Sequence, residues 1–157
     1  SFFASGIFFA LFFTGGSAGS TSGGVKIVRH IIMLKNSFLE FKKALHPNAI
    51  IPVRYDGKTV NQNIVFNIIS FFIIYMLIFI MSSVVFTFFG LDFTSAIGAA
   101  ASSLGNIGPA IGSVGPINNF AHLSIGAKWF CAFLMLIGRL ELFTVLILFT
   151  PFFWRKN

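Results

Sequence analysis

Two stretches of this sequence are long and apolar enough to cross a lipid bilayer, and the rest of the chain has to be arranged around them. A hydrocarbon core of about 30 Å takes about 20 helical residues. The first stretch runs from about Asn63 to Phe89 and is rich in Ile, Phe, Met and Val. The second runs from about Trp129 to Phe153, and no proline interrupts either before Pro151. A third apolar run, Ser1 to Thr14, is too short to span alone. Composition agrees: the 157 residues are 56% hydrophobic and only 10% charged, with a mean hydropathy of +0.89. Soluble domains carry about 25% charged residues. This chain has too few to solvate a globular surface, which excludes an ordinary soluble enzyme and a disordered tail. The net charge of +7 reports topology in such a chain, not nucleic-acid binding. A single cysteine, Cys131, leaves no disulfide framework. The sequence opens on Ser1 inside an apolar run without a basic leader, so it reads as starting within a longer protein and not as a signal peptide.

After Thr14 comes Gly15-Gly16-Ser17-Ala18-Gly19-Ser20-Thr21-Ser22-Gly23-Gly24. So many glycines and hydroxyl residues do not make a helix interior. Apolar periodicity then resumes from Val25 to Leu45, interspersed with Lys26, Arg29, Lys35, Lys42 and Lys43. The pattern predicts a helix broken by a loop and continuing as a basic amphipathic helix, which His46-Pro47 ends. Asp56-Gly57, between two short extended runs, predicts a small hairpin at about 50–60.

Between the two spans, Asp92 or Thr94 can cap a short helix of small residues, Ser95 to Leu104. It runs into the Gly/Pro-rich Gly105-Asn106-Ile107-Gly108-Pro109-Ala110-Ile111-Gly112. A span, a short re-entrant helix, a glycine-rich return and a second span make the outline of a channel pore loop. The other reading of 105–109 is an external loop with turn glycines. In a pore loop, backbone carbonyls replace the hydration shell of a cation, and the negative end of the short helix favours one. Seven Lys/Arg lie in 25–62 and two, Arg155 and Lys156, in the tail, whereas 90–127 has none. The positive-inside rule puts 25–62 and the C-terminus in the cytoplasm.

Three further features bear on function. The glycine-rich run lacks the Gly-Lys-Ser/Thr of a phosphate loop. It is either a linker or a loop at membrane depth that lines and gates the ion path. Arg139 lies in the middle of the second span, where a charge costs about 2.5–3.5 kcal/mol and should face protein or water. Its donors suit the carbonyls of the Gly15–Gly24 loop. The rival is an ion pair with Glu141, two residues away and on nearly the opposite helix face. His30, His46 and His122 share no metal-ligand spacing, and Trp129 and Trp154 sit where an aromatic belt would anchor the span.

Four motifs carry a resemblance. Gly15 to Lys26, Leu45-His46-Pro47-Asn48-Ala49, Leu104-Gly105-Asn106-Ile107-Gly108-Pro109 and Gly138-Arg139-Leu140-Glu141 resemble, in that order, signatures of the Trk/Ktr/HKT superfamily of potassium transporters. Together they cover nearly the whole chain and are highly specific. The resemblance implies an all-α membrane protein of helix–pore-loop–helix repeats, channel-like, with one broken transmembrane helix and a small cytoplasmic hairpin. On that basis 1–45 is the broken second helix of repeat three with an intramembrane loop at 15–24. Residues 46–62 are the cytoplasmic hairpin and linker. Residues 63–157 are repeat four, with outer helix 63–89, pore helix 93–104, filter 105–109 and inner helix 129–153. Carried over residue by residue, Gly105, Asn106, Ile107 and Gly108 supply a quarter of a potassium filter through backbone carbonyls. The loop Gly15 to Gly24 is the gate, and Arg139 is its latch.

The family also implies a homodimer in the bacterial inner membrane, contacted by lipid and by a cytosolic TrkA-like ring of nucleotide-binding RCK subunits. It implies K+ as the transported ion, no cofactor in this chain, no nucleic acid and no enzyme activity. Asn106-Ile107-Gly108-Pro109 keeps only the glycine and a branched aliphatic residue of the Thr-Val-Gly-Tyr of potassium channels, which implies a less strict preference over sodium. The alternatives are a secondary transporter with a discontinuous helix and a non-conducting membrane assembly subunit.

Overall fold

The computed structural model describes residues 2–15, 24–45, 52–115 and 120–139. Helix α1 (Phe2–Phe12) leads to the described edge of the glycine-rich run, and α2 (Ile27–Leu45) begins beyond it. Strands β1 (Arg54–Tyr55) and β2 (Lys58–Thr59) follow, then α3 (Gln62–Phe88), α4 (Phe93–Gly105) and α5 (Ile125–Arg139). Two single 3-10 turns, Gly112–Val114 and Phe120–His122, lie between α4 and α5.

Local chemistry sets these boundaries. Asp56 and Gly57 both take positive φ, 49° and 73°, the conformation a two-residue hairpin turn needs. Arg54 pairs with Thr59 and Tyr55 with Lys58, and the Val60 N–H donates to the Val53 carbonyl at 2.8 Å. The hairpin is held on α2 by the Lys35 ammonium, which donates to the Arg54 carbonyl at 3.2 Å. A small core of Ile32, Val53, Val65 and Ile68 joins α2, the hairpin and the start of α3. Higher up, the Arg29 guanidinium lies 4.1 Å from the centroid of the buried Phe71 ring, a cation–π contact between α2 and α3.

The Asn61 side chain caps α3 by accepting from the Asn63 N–H at 3.1 Å. Its buried residues, Val65, Ile68, Phe71, Tyr75, Ser82 and Phe86, recur at helical spacing along one face. The opposite face exposes Ile73, Leu77, Ile80, Met81, Val84 and Phe88, as suits a helix against lipid or neighbouring helices. Among the described residues, this helix is the one long and apolar enough to cross a membrane.

Two boundaries differ from the sequence expectation. Helix α5 starts at Ile125, four residues before Trp129. Ser124 causes this: its hydroxyl accepts from the Ala127 N–H and its carbonyl from the Lys128 N–H. The second difference is Gly105, which is the last helical residue of α4 and not the first of the extended segment. The expected continuation of α5 through 140–153, with Glu141 and Trp154, lies outside the described residues.

The main core surrounds α4. It includes Tyr75 and Phe86 of α3, Val25 beside the loop, and Ala127, Cys131, Leu134 and Ile137 of α5. Helix α4 is buried at every position from Ser95 to Gly105 except Ile97. Its Ala, Gly and Ser side chains let three other helices approach closely.

Candidate functional site

Helix α4 and the chain that folds back along it form one unit. Asp92, in extended conformation, caps the helix by accepting from the Ser95 N–H at 3.2 Å. The Ser95 hydroxyl and N–H hold the exposed Asp92 carboxyl below its ordinary pKa. At the other end Asn106 adopts a left-handed conformation (φ 54°, ψ 42°). The Asn106 and Ile107 N–H groups then fold back onto the Ser103 and Ser102 carbonyls, at 3.3 and 3.1 Å. These bonds satisfy carbonyls that a helix end would otherwise leave orphaned.

From there the chain returns along α4. The Ser102 hydroxyl donates to the Gly108 carbonyl at 2.9 Å. A Cβ on Gly98 would sit 2.7 Å from the Ile111 nitrogen, so only a glycine lets the return segment lie this close. The Ser95 hydroxyl accepts from the Ser113 N–H at 2.7 Å and bonds to its hydroxyl at 2.9 Å. Ser95, Gly98 and Ser102 share one face of α4, and the return runs antiparallel down it.

The four residues expected to form a filter divide into two pairs. Gly105 is buried and Asn106 half-buried, whereas Ile107 and Gly108 are exposed. Asn106 and Gly108 (φ 104°) take positive φ on either side of Ile107, so the backbone alternates in hand. No basic side chain lies in the last turn of α4, so its negative end is uncompensated on that helix.

The base of the glycine-rich loop lies directly against this helix end. The Gly15 N–H donates to the Val25 carbonyl at 2.9 Å. A Cβ on Gly24 would lie 3.6 Å from the Gly105 Cα and 4.0 Å from the Tyr75 hydroxyl. A Cβ on Gly105 would lie 3.4 Å from the Phe12 carbonyl oxygen. Phe12 and Val25, on either side of the loop, are both buried. Gly16, Ser17, Ala18, Gly19, Ser20, Thr21, Ser22 and Gly23 lie outside the described residues.

Helix α5 closes the other side. A Cβ on Gly138 would collide with the Leu104 carbonyl oxygen and come within 2.9 Å of the Asn106 amide nitrogen. That amide crosses to the Met135 carbonyl at 2.8 Å. Arg139, next to Gly138, is exposed at the last described position of α5. The structure therefore brings three of the sequence-derived groups to one place: both loop ends, the end of α4, and the Gly138–Arg139 turn.

Sequence reasoning missed Ser95 and Ser102 as contacts of the return segment, and Tyr75 beside Gly24. Two serines seven residues apart in a helix of Ala and Gly were the available signal. Among the described residues no group of His, Cys, Asp or Glu is placed to hold a metal ion. The described residues here offer backbone carbonyls and an uncompensated helix end, groups whose chemistry suits a weakly held cation.

Comparisons with known proteins converge. A family model described as TrkH, cation transport protein, matches residues 4–156. The Trk system potassium uptake protein TrkH of Salmonella typhimurium is 40% identical over 144 residues, which are 92% of this chain and 29% of that protein. The Trk system potassium uptake protein TrkI of Halomonas elongata is 38% identical over 150 residues, 95% of this chain and 30% of that protein. The crystal structure of the potassium transporter TrkH from Vibrio parahaemolyticus matches with a TM-score of 0.89 at 36% identity, over 99% of this chain and 33% of that one. The chain thus spans about a third of the length of the relatives it matches.

Proposed function

The chain belongs to the TrkH family of cation transport proteins, and from that premise we propose that it supplies the C-terminal part of a potassium uptake channel. In this reading residues 1–45 end the third helix–pore-loop–helix repeat and residues 63–157 form the fourth. Residues 105–109 contribute one of four walls of a filter, and K+ passes down its electrochemical gradient. The Gly15–Gly24 loop is the gate below that filter, and Arg139 latches it by donating to loop carbonyls. Residues 25–62, with the hairpin, and the C-terminus face the cytoplasm of a bacterial inner membrane. The complete transporter is a multi-pass homodimer that meets a cytosolic ring of nucleotide-binding subunits, whose ligand state releases the gate.

One observation carries the reading. Both described ends of the loop, Gly15 and Gly24, converge at the C-terminal end of α4, with Gly24 packed on Gly105. Gly138 packs on Leu104, the neighbouring residue, from the other side. Arg139 is thereby carried to the same end of α4 as the loop. A latch needs that adjacency, and neither a linker nor an assembly surface does. The names of the relatives support potassium as the ion: they are potassium uptake proteins.

The test is rubidium uptake into proteoliposomes holding the complete transporter. Arg139→Ala should raise basal uptake several-fold without the cytosolic partner, and excess potassium should block that uptake. Unchanged basal uptake at normal expression counts against the latch. Uptake that saturates and requires a second ion gradient counts against the channel and favours the discontinuous-helix transporter.

A further inference from the structure

A residue with positive φ that is not glycine needs a reason, because the left-handed region is costly for side chains. Among the described residues only Asp56 and Asn106 are such cases. Asp56 belongs to a tight hairpin turn, which explains it. Asn106 fills the left-handed position at a helix end that glycine or asparagine takes, and its side chain adds a contact that glycine cannot make.

Its amide nitrogen donates to the Met135 carbonyl at 2.8 Å, across 29 residues of sequence. The acceptor is a carbonyl, so the amide must present its nitrogen and not its oxygen. The contact is possible because Gly138 has no side chain: the Asn106 nitrogen lies across the space that a Cβ there would fill. The acceptor's position matters as well. In an α-helix the carbonyl of residue 135 points to the N–H of residue 139. Asn106 therefore binds the helical turn that ends in Arg139. Ser102 secures the same segment to α4, through its carbonyl at Ile107 and its hydroxyl at Gly108.

We infer that Asn106 is a positioning residue: its amide ties the filter segment to the Arg139-bearing turn of α5 and fixes the geometry on which ion preference depends. The inference rests on the reading of 105–109 as filter and Arg139 as latch. It assigns Asn106 a different job from its neighbours, since its side-chain nitrogen is committed to α5. Filter geometry and the position of α5 then become one variable.

The experiment uses the complete transporter in proteoliposomes and measures rubidium uptake with potassium or sodium as competitor. Asn106→Gly keeps the left-handed backbone and removes the amide. Asn106→Asp keeps the shape and replaces the N–H donor by an acceptor. Asn106→Gly should reduce the preference for potassium over sodium by about 3- to 10-fold, the range expected for loss of one neutral hydrogen bond, and Asn106→Asp, which sets an acceptor against the Met135 carbonyl, by at least as much. Rubidium should still enter in both, and the amount of folded protein should be close to wild type. A merely structural role would lower protein yield or total uptake and leave the ratio of the two competitors unchanged. Should Asn106→Gly fail to fold, the isosteric Asn106→Asp carries the test. A wild-type preference that survives in both variants overturns the inference and leaves the filter reading standing. A wild-type protein with no preference for potassium overturns the filter reading and the inference with it.

Discussion

The Gly15 N–H donates to the Val25 carbonyl across 2.9 Å, so the two ends of the glycine-rich run are joined backbone to backbone. A Cβ on Gly15 would overlap that carbonyl. The two strands of chain are therefore pinched at the base of the loop as closely as backbone permits. The pinch lies beside Gly105, at the end of α4.

Gly15→Ala should pry that base open. One to two kcal/mol of strain corresponds to about a 5- to 30-fold change in an equilibrium. Basal rubidium uptake should rise by about 5-fold or more, in the same direction as for Arg139→Ala. Uptake assays without the cytosolic partner check this. An unchanged basal rate would detach the pinch from gating.

Gly138→Ala should act on stability. The added methyl meets the Leu104 carbonyl oxygen and the Asn106 amide, and neither is the loose end of a flexible chain. Overpacking of this kind costs about 1–3 kcal/mol. Thermal unfolding of the purified transporter in detergent should show a lower midpoint than wild type, whereas Gly6→Ala, inside α1 with nothing within 4 Å, should not lower it.

Asp92 gives a pH dependence whose sign can be worked out. The Ser95 hydroxyl and N–H lower its pKa in the folded protein. Its contribution is therefore complete above the unfolded carboxyl value, near 4. It is lost as pH falls through the lower folded value. Asp92→Ala should cost about 1 kcal/mol at neutral pH by removing the cap. Asp92→Asn keeps a capping oxygen, so it should stay near wild type at neutral pH and flatten the loss in acid. Unfolding midpoints taken from pH 7 down to pH 3 would register both.

The elements legible in the sequence are those whose cause is local. Helix α3 shows in its length and apolarity, and Gln62–Phe88 sits within a residue of the span read from the chain. Asp56-Gly57 shows as a turn, and the cap shows as Asp92 or Thr94, of which the structure uses Asp92, because both act on their immediate neighbours. The start of α5 was misplaced because Ser124 acts through one hydroxyl, inside a run that looks like loop. The glycine-rich return shows in the sequence, but its course along α4 does not. It depends on Ser95, Gly98 and Ser102 meeting residues that come later in the chain, and no local pattern records such pairings. Asn106 is the sharpest case. Its position in the extended motif marked it as filter, yet its side chain is directed by Met135 and Gly138, residues of another helix.

The end of α4 is supported by chain from both extremes of the described sequence: Phe12 and Gly24 on one side, Met135 and Gly138 on the other. Synthesis delivers these supports at different times. When α4 emerges, the first pair is already made and the second is not. The Ala face that Ala127, Cys131 and Leu134 will cover, and the amide that Met135 will accept, wait for the last helix. A chain that stops after α4 thus holds the Phe12 and Gly24 contacts and lacks those of Met135 and Gly138, so the brace on the end of α4 is completed only by the last helix.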